Sequence, residues 1–227
     1  MYYYWDWTML LVLPGLLLGL WAQIKVKSAY SRYSRVRSRR GEPARDIARE
    51  LLDRTGNGGV SVGPISGELT DHYDPRSQSL RLSDGVYASD SIAAIGIAAH
   101  ECGHAMQAGA GYAPLKLRTA IVPVVNLGST LYFPIFLAGL IFSWQPLLYA
   151  GIACFALSLV FALVTLPVEF NASRRAVAAL EGGGYLDEEE LRGVKAVLQA
   201  AALTYVAAAI SSLLQLLRLL LLSRRRD

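Results

Sequence analysis

The longest uncharged stretch of the chain decides its fold class. Residues Thr119 to Val168 read TAIVPVVNLGSTLYFPIFLAGLIFSWQPLLYAGIACFALSLVFALVTLPV, without a single Asp, Glu, Lys or Arg. A membrane-spanning helix needs about 20 consecutive apolar residues, so this stretch suits two spans joined by a short turn. The turn is predicted at Ser143-Trp144-Gln145-Pro146, with Trp144 at the membrane interface. Such a helical hairpin returns the chain to the side that it left.

Two further apolar runs lie near the ends of the 227-residue chain. The first, Trp7 to Ile24, is long enough for a span, and the aromatic residues Tyr2 to Trp5 before it are typical of an interfacial belt. A cleaved signal peptide fits poorly, because the positive charges follow this run instead of preceding it. The last run, Ala196 to Leu217, has the length of a fourth span. The alternative is that this helix lies along the membrane surface, because Arg224 to Arg226 would then stay on the cytoplasmic side.

Composition and charge agree with a membrane protein. Hydrophobic residues make up 53% of the chain and charged residues 18%, which disfavours both a cytosolic globule and disorder. Two cysteines and three histidines leave little room for a disulfide framework or a multi-cysteine zinc module. Eight of the 22 basic residues lie between Lys25 and Arg45, directly after the first run. The positive-inside rule therefore predicts that the N-terminus is external and that the domain after the first run is cytoplasmic. Because this topology already explains the basic residues, they do not indicate a nucleic-acid partner.

These runs divide the chain into six segments. They are a membrane anchor (1–24), a first soluble segment (25–118), a membrane hairpin (119–168), a second soluble segment (169–195), an apolar helix that we interpret as a fourth span (196–222) and a basic tail (223–227). In the first soluble segment, Pro43 and Gly56 bracket a predicted helix, ARDIARELLDRT. GELTDHYD and SQSLRLSDGVY flank the turn signal Asp74-Pro75-Arg76-Ser77 and predict a β-hairpin. Asp90 or Ser89 is expected to cap the helix SIAAIGIAAHECGHAMQ.

That helix contains the pattern H-E-x-x-H, as His100-Glu101-Cys102-Gly103-His104. Histidines at positions i and i+4 lie on one helical face, so both rings can reach one zinc ion, and in metallopeptidases the Glu is the general base. The alternative is a buried helix whose histidines are merely hydrogen-bonded. Small neighbouring residues favour close packing around the helix, and Cys102, off the histidine face, is interpreted as a buried filler.

Catalytic zinc usually has three protein ligands and an open fourth position. No histidine follows His104, and His72 is the only one upstream of the motif. Among the downstream acids, Glu181 precedes three glycines, and the cluster from Asp187 to Glu190 suits a helix start. Glu169 ends the uncharged stretch, where an ionised carboxylate needs a partner, and is therefore the predicted third ligand.

Other side chains are candidates for stabilising an oxyanion or binding substrate. His72 and Tyr73 lie in the predicted hairpin, although polar turn chemistry would explain Asp71, His72 and Asp74 equally well. Arg174 and Arg175 could donate to a tetrahedral intermediate, but basic residues after a membrane helix are expected anyway. Tyr185, after three glycines, could lie on a loop near the site.

Three segments together, IAAHECGHAMQ, LTDHYDPRSQSLRLS and LPVEFNASRRA, resemble the YugP-like family of bacterial membrane zinc metallopeptidases. The resemblance spans nearly the whole chain and implies a membrane-anchored, zinc-dependent endopeptidase, with Glu169 as a ligand. The layout is also similar to the heat-shock-type membrane gluzincins of protein quality control. Those families place an Asp four residues after the liganding Glu, and the matching position here is Ser173. Asn171 lies nearer to Glu169 in the sequence. The residues that hydrogen-bond to the histidines are therefore left open.

The expected protein is mainly α-helical, with three to four transmembrane helices and a small α+β zincin-like catalytic domain in the cytoplasm. One Zn2+ ion per chain would be bound by His100, His104 and Glu169, with Glu101 as the general base. Peptides or proteins are the expected substrates, the lipid bilayer the expected surroundings, and the bacterial inner membrane the expected location. The alternative is a membrane scaffold or adaptor with a structural or vestigial metal site, which would not need an intact Glu101.

Overall fold

The computed structural model describes residues 7–224, and these residues are mainly helical. A short 3-10 helix, Trp7–Leu11, precedes seven α-helices and three β-strands in this part of the chain. The helices are α1 (Leu13–Tyr33), α2 (Ala44–Arg54), α3 (Asp84–Tyr87), α4 (Ile92–Gly109), α5 (Ala113–Ile141), α6 (Gln145–Gly182) and α7 (Glu188–Arg224). The predicted aromatic belt at Tyr2 to Trp5 and the tail residues Arg225 and Arg226 lie outside the described residues.

Within residues 7–224, four helical segments are long and apolar enough to cross a membrane, as judged from their length and composition. They are Trp7–Tyr33, Ala113–Ile141, Gln145–Gly182 and Glu188–Arg224. The predicted turn between the second and third is confirmed, because α5 ends at Ile141 and α6 begins at Gln145. Helix α1 continues beyond the predicted end at Ile24, through Lys25 and Lys27, so the basic residues follow on the same helix.

The chain divides into two compact units, and the first is composed of the apolar helices. Its described part comprises residues 7–23, 117–166 and 203–224. Phe136, Leu148, Ile152 and Leu219 form a buried cluster in this unit. Gly151 lets two helices approach closely, since a Cβ there would lie 2.8 Å from the backbone nitrogen of Phe136. Small residues at helix contacts are typical of membrane proteins, where dispersion forces between close backbones drive association.

The second unit, residues 24–116 and 167–202, contains the sheet and the H-E-x-x-H helix. Its strands are β1 (Ser61–Ile65), β2 (His72–Asp74) and β3 (Ser79–Ser83), in the order β1-β3-β2. Strands β2 and β3 pair antiparallel, which confirms the predicted hairpin, whereas β1 pairs parallel with β3 and was not predicted as a separate strand. The core lies between the sheet and α2, α3 and α4, and its largest fully buried side chains include Ile47, Leu51, Leu52, Leu80, Leu82 and Ile95.

Two local predictions in this unit were wrong. The residues after Ser83 leave the sheet and form the single helical turn α3, so strand β3 is shorter than the predicted segment SQSLRLSDGVY. The cap of α4 is Ser91, not Asp90 or Ser89, and its hydroxyl accepts a hydrogen bond from the Ala94 backbone N–H. A capping side chain must precede the first helical residue directly in order to reach the third N–H, and only Ser91 does so.

Candidate metal centre

Helix α4 presents the two motif histidines on one face. His100 and His104 lie one turn apart, and their ring centroids are 4.8 Å apart with an interplanar angle of 84°. His104 is buried, and His100 is partly buried. The helix holds them rigidly because most of its residues are buried in the core of the second unit.

Helix α6 packs closely against the motif at Gly103. A Cβ at this position would overlap the carbonyl oxygen of Ala172, so only glycine fits. Gly103 therefore allows another helix to pack closely against the motif, as the small residues in this part of the sequence predict. The close approach of α4 and α6 brings Glu169, one turn before Ala172, to the histidines.

Glu169 completes a cluster of three potential metal ligands. Its Oε2 atom lies 3.2 Å from Nε2 of His100 and 3.6 Å from Nε2 of His104. The ligand atoms of the three residues all lie within 4.8 Å of one another. Only 2% of Glu169 is exposed, so its carboxylate is held among the imidazoles and does not face bulk solvent.

The donor set fits a zinc ion. Two imidazole nitrogens and one carboxylate oxygen are a known ligand set for catalytic zinc, which leaves a fourth position open. With zinc–ligand bonds of about 2.0–2.1 Å, tetrahedral ligand atoms stand about 3.3 Å apart, close to the two separations observed here. Burial lowers the pKa of His104, but the hydrogen bond to Glu169 and the neighbouring carboxylates outweigh burial and raise it.

Glu101 lies beside this cluster, between α4 and the edge of the sheet. Its Oε2 atom accepts a hydrogen bond of 3.0 Å from the backbone N–H of Tyr73 in β2. Burial raises the pKa of the Glu101 carboxyl, and the imidazoles of His104 and His100 oppose this increase. Strand β2 lies at the edge of the sheet, and its hydrogen bond to Glu101 shows that this edge lies next to the cluster.

The far nitrogens of the two histidines have different partners. Nδ1 of His100 lies 3.1 Å from the hydroxyl of Ser173, which stands four residues after Glu169. Nδ1 of His104 lies 3.0 Å from Oε1 of Gln107, a residue that is fully buried. Sequence reasoning missed Gln107. Its spacing was a usable signal, because a residue three positions after His104 lies on the same face of α4.

Gln107 also connects α4 to α6. Its Nε2 atom donates to the carbonyl oxygen of Val168 at 2.7 Å and to Oδ1 of Asn171 at 3.0 Å. Nε of Arg175 donates to the same Asn171 oxygen at 2.8 Å. Asn171 and Arg175 therefore belong to the surroundings of His104.

The hairpin candidates have mostly structural partners. Asp71 binds the backbone N–H and hydroxyl of Ser83, and Asp74 accepts hydrogen bonds within its own turn. His72 is exposed, with Nδ1 2.9 Å from the carbonyl oxygen of Thr70. Of the two candidates in this strand, only Tyr73 has a hydrogen bond to Glu101, and that bond comes from its backbone.

The remaining candidates lie on or beyond α6. Arg174 is exposed, as is Glu181, which stands 12 residues after Glu169 and thus about 18 Å along the helix. Tyr185 follows the end of α6, with its buried ring between the guanidinium groups of Arg40 and Arg54 at 4.9 and 5.4 Å. The loop position expected for Tyr185 is confirmed, whereas the contacts of its ring are to Arg40 and Arg54.

Helices that can cross a membrane, together with a histidine–histidine–glutamate cluster on an H-E-x-x-H helix, indicate the class of membrane zinc metallopeptidases. The chain belongs to the family described as "putative neutral zinc metallopeptidase", whose model matches residues 8–224. It is 46% identical over 212 residues to the "Putative membrane protease YugP" of Bacillus subtilis (strain 168), covering 93% of this chain and 94% of the relative. No solved structure matches the chain. The family resemblance drawn from the three sequence segments is confirmed.

Proposed function

We propose that this protein is a membrane-embedded endopeptidase in which His100, His104 and Glu169 bind one zinc ion and Glu101 is the general base. The observation that carries the proposal is the convergence of these three ligand atoms within 4.8 Å, with Glu101 beside them. The catalytic unit would then be a small zincin-like domain built from the second unit of the chain.

The roles of the residues follow from their chemistry. Zinc, when bound, supplies a Lewis acid that polarises the peptide carbonyl and makes water a nucleophile at neutral pH. Glu101 accepts a proton from the attacking water at its carboxylate and delivers it to the leaving amide nitrogen, so the C–N bond breaks after the new C–O bond forms. The Tyr73 N–H holds Oε2 of Glu101 in place for this transfer.

Strand β2 offers a binding edge for the substrate. Tyr73 directs its N–H away from β3, and in an antiparallel ladder the N–H and C=O of one residue point to the same side. The Tyr73 carbonyl oxygen on the outer edge of β2 could therefore accept a hydrogen bond from an extended peptide next to Glu101, while the Tyr73 N–H stays bound to Glu101. Main-chain pairing does not read side chains, which favours unfolded segments with varied sequences and suits a role in membrane protein quality control.

We place the catalytic unit on the cytoplasmic side of the inner membrane, because the basic residues between Lys25 and Arg45 follow the first span. Single cysteines at Glu68 and Arg192, both exposed, test this topology in a background where Cys102 and Cys154 are replaced by Ala. Neither cysteine should react with an impermeant thiol reagent on intact cells, and both should react after lysis. Labelling of either one from outside would overturn the assignment.

The central experiment compares wild type with Glu101→Gln, both purified in detergent, for bound zinc and for cleavage of an unfolded test protein. Zinc should be retained in both proteins, because Glu101 is not a ligand, and cleavage should occur only with wild type. Equal cleavage would remove Glu101 from the mechanism. Zinc in both proteins with cleavage by neither would instead support a scaffold with a structural metal site, and zinc in neither would refute the metal centre.

A further inference from the structure

A chain of hydrogen bonds leads from Arg175 through Asn171 and Gln107 to His104. Arg175 determines which atom of each pair is the donor. The Nε atom of Arg175 carries a hydrogen and has no free lone pair. The Asn171 atom that it contacts at 2.8 Å must therefore be the amide oxygen, Oδ1. This settles the orientation of the Asn171 amide on chemical grounds.

The direction passes from Asn171 to Gln107. Oδ1 of Asn171 is an acceptor, and so is the carbonyl oxygen of Val168, so the Gln107 atom that contacts both must be the NH2 group. The other end of the Gln107 amide, Oε1, then faces Nδ1 of His104. Oε1 can only accept, which means that Nδ1 must carry the hydrogen.

We propose that Gln107, oriented by Asn171 and Arg175, is a positioning residue that holds His104 with its proton on Nδ1. The Nε2 lone pair is then directed toward the metal position that Glu169 shares. The inference rests on the proposed function only in taking His104 as a zinc ligand.

The two histidines differ in this respect. The Ser173 hydroxyl beside His100 can donate or accept, so it does not select a tautomer by itself. Gln107 cannot reverse its role without placing its NH2 group against Nδ1–H and its oxygen against two acceptors. Because Gln107 is fully buried, water cannot compensate for such a reversal.

A merely structural role must be separated from positioning, since Gln107 also ties α4 to the α6 backbone. The experiment measures zinc affinity by chelator competition, the visible spectrum of the Co2+-substituted protein, and the Tm of the metal-free protein, all in detergent. Gln107→Met should weaken zinc binding about 10–100-fold, as loss of a partner behind a metal-bound histidine typically does, and should alter the Co2+ spectrum. Gln199→Met, the same change at an exposed glutamine, should affect neither.

A second pair of variants tests the direction of the hydrogen bonds. Asn171→Asp keeps an acceptor for both Arg175 and Gln107, so zinc affinity and the Co2+ spectrum should remain close to wild type. Asn171→Leu removes that acceptor and should weaken zinc binding. Equal affinity in the Leu and Asp variants would overturn the orienting role, and this pair remains informative if Gln107→Met fails to fold.

The decisive measurement repeats Gln107→Met in a His104→Ala background. If Gln107 acts through His104, the substitution should then change zinc affinity by less than about twofold. A loss as large as in the wild-type background would show a structural role and refute the inference. If His104→Ala itself leaves zinc binding intact, the proposed metal centre fails instead, so the two failures are distinguishable.

Discussion

Helix α4 and the segment of α6 from Pro167 to Gly182 contribute to the same cluster in contrasting ways. Helix α4 carries two of the proposed ligands and the proposed base within five consecutive residues, and its spacing alone places them on adjacent faces. The α6 segment supplies one buried carboxylate, Glu169, whose role depends on a partner helix about 65 residues earlier in the chain. A motif within one helix can therefore be predicted from its spacing, whereas a distant residue that completes the cluster can be predicted only when its charge stands at an unusual position, such as the end of an apolar stretch.

The two helices meet where neither has side-chain bulk. Gly103 of α4 lies against the backbone of α6 at Ala172, and this approach sets the distance between the histidines and Glu169. The cluster is therefore a property of the packed pair.

Replacing Glu169 breaks the α6 contribution directly and should have the largest effect. Glu169→Gln puts a neutral amide among the two imidazoles, and an amide oxygen is a much poorer zinc ligand than a carboxylate. We expect zinc affinity to fall by about 100-fold or more and peptide cleavage to become undetectable. Zinc content after dialysis and cleavage of an unfolded test protein measure both effects.

Glu181→Gln is the matched control, because Glu181 lies on the same helix but is exposed. Its zinc content and turnover should equal those of wild type. Full zinc occupancy in Glu169→Gln would refute the assignment of the third ligand and direct attention to His72.

Sequence reasoning located the parts of the molecule that follow from local rules. Uncharged length predicted the helices around Ser143, the i, i+4 spacing predicted the face shared by His100 and His104, and a carboxylate at the end of an apolar stretch pointed to Glu169. Each rests on the cost of placing a particular group in a particular environment, and that cost can be read without knowing the fold.

Gly103→Ala tests the meeting point of the two helices without touching a ligand. The added methyl group must displace the backbone at Ala172, which should destabilise the protein by about 1–3 kcal/mol. A shift of about 1 Å in Glu169 could lower activity about 100-fold. Unfolding in detergent and peptide cleavage measure the two effects.

Gly182→Ala provides the comparison, since a Cβ there would meet nothing within 4 Å. It should leave both stability and cleavage nearly unchanged. Normal cleavage by Gly103→Ala would mean that α4 and α6 can separate without loss of the cluster.

Sequence reasoning could not find the contacts that depend on where a side chain meets a distant backbone. The Tyr73 N–H on Glu101 requires the register of β2, and the link from Gln107 to Val168 requires the packing of α4 on α6. Strand β1 was also missed, because its segment SVGPI contains Gly and Pro and pairs with a strand that follows the hairpin turn. Such contacts leave no periodic pattern in the sequence.

Ser173→Ala should have a smaller effect than the changes at Glu169 or Gly103. It removes the partner of Nδ1 of His100, and a loss of about tenfold in zinc affinity is expected, at the low end for such partners because Ser173 is only partly buried. Ser173→Asp installs a carboxylate acceptor for the His100 Nδ1–H and should bind zinc at least as tightly as wild type. Tighter binding by the Ala variant than by the Asp variant would contradict this role.

The smallest effect on stability and zinc binding is expected for a substitution at Asp187. This substitution tests whether Glu169 differs from the other acids between residues 169 and 195 in binding the metal. Asp187 and Glu190 exchange hydrogen bonds at the start of α7, each backbone N–H donating to the other carboxylate at 2.9 Å. The bond from the Glu190 N–H lowers the pKa of Asp187 below its usual value. Because the pKa is lower in the folded state, this stabilisation is present above pH of about 4 and is lost as the pH falls further.

Asp187→Ala should therefore lower the Tm slightly at neutral pH, the difference from wild type should shrink in acid, and zinc content should not change. A loss of zinc in this variant would mean that the acidic cluster contributes to the metal centre.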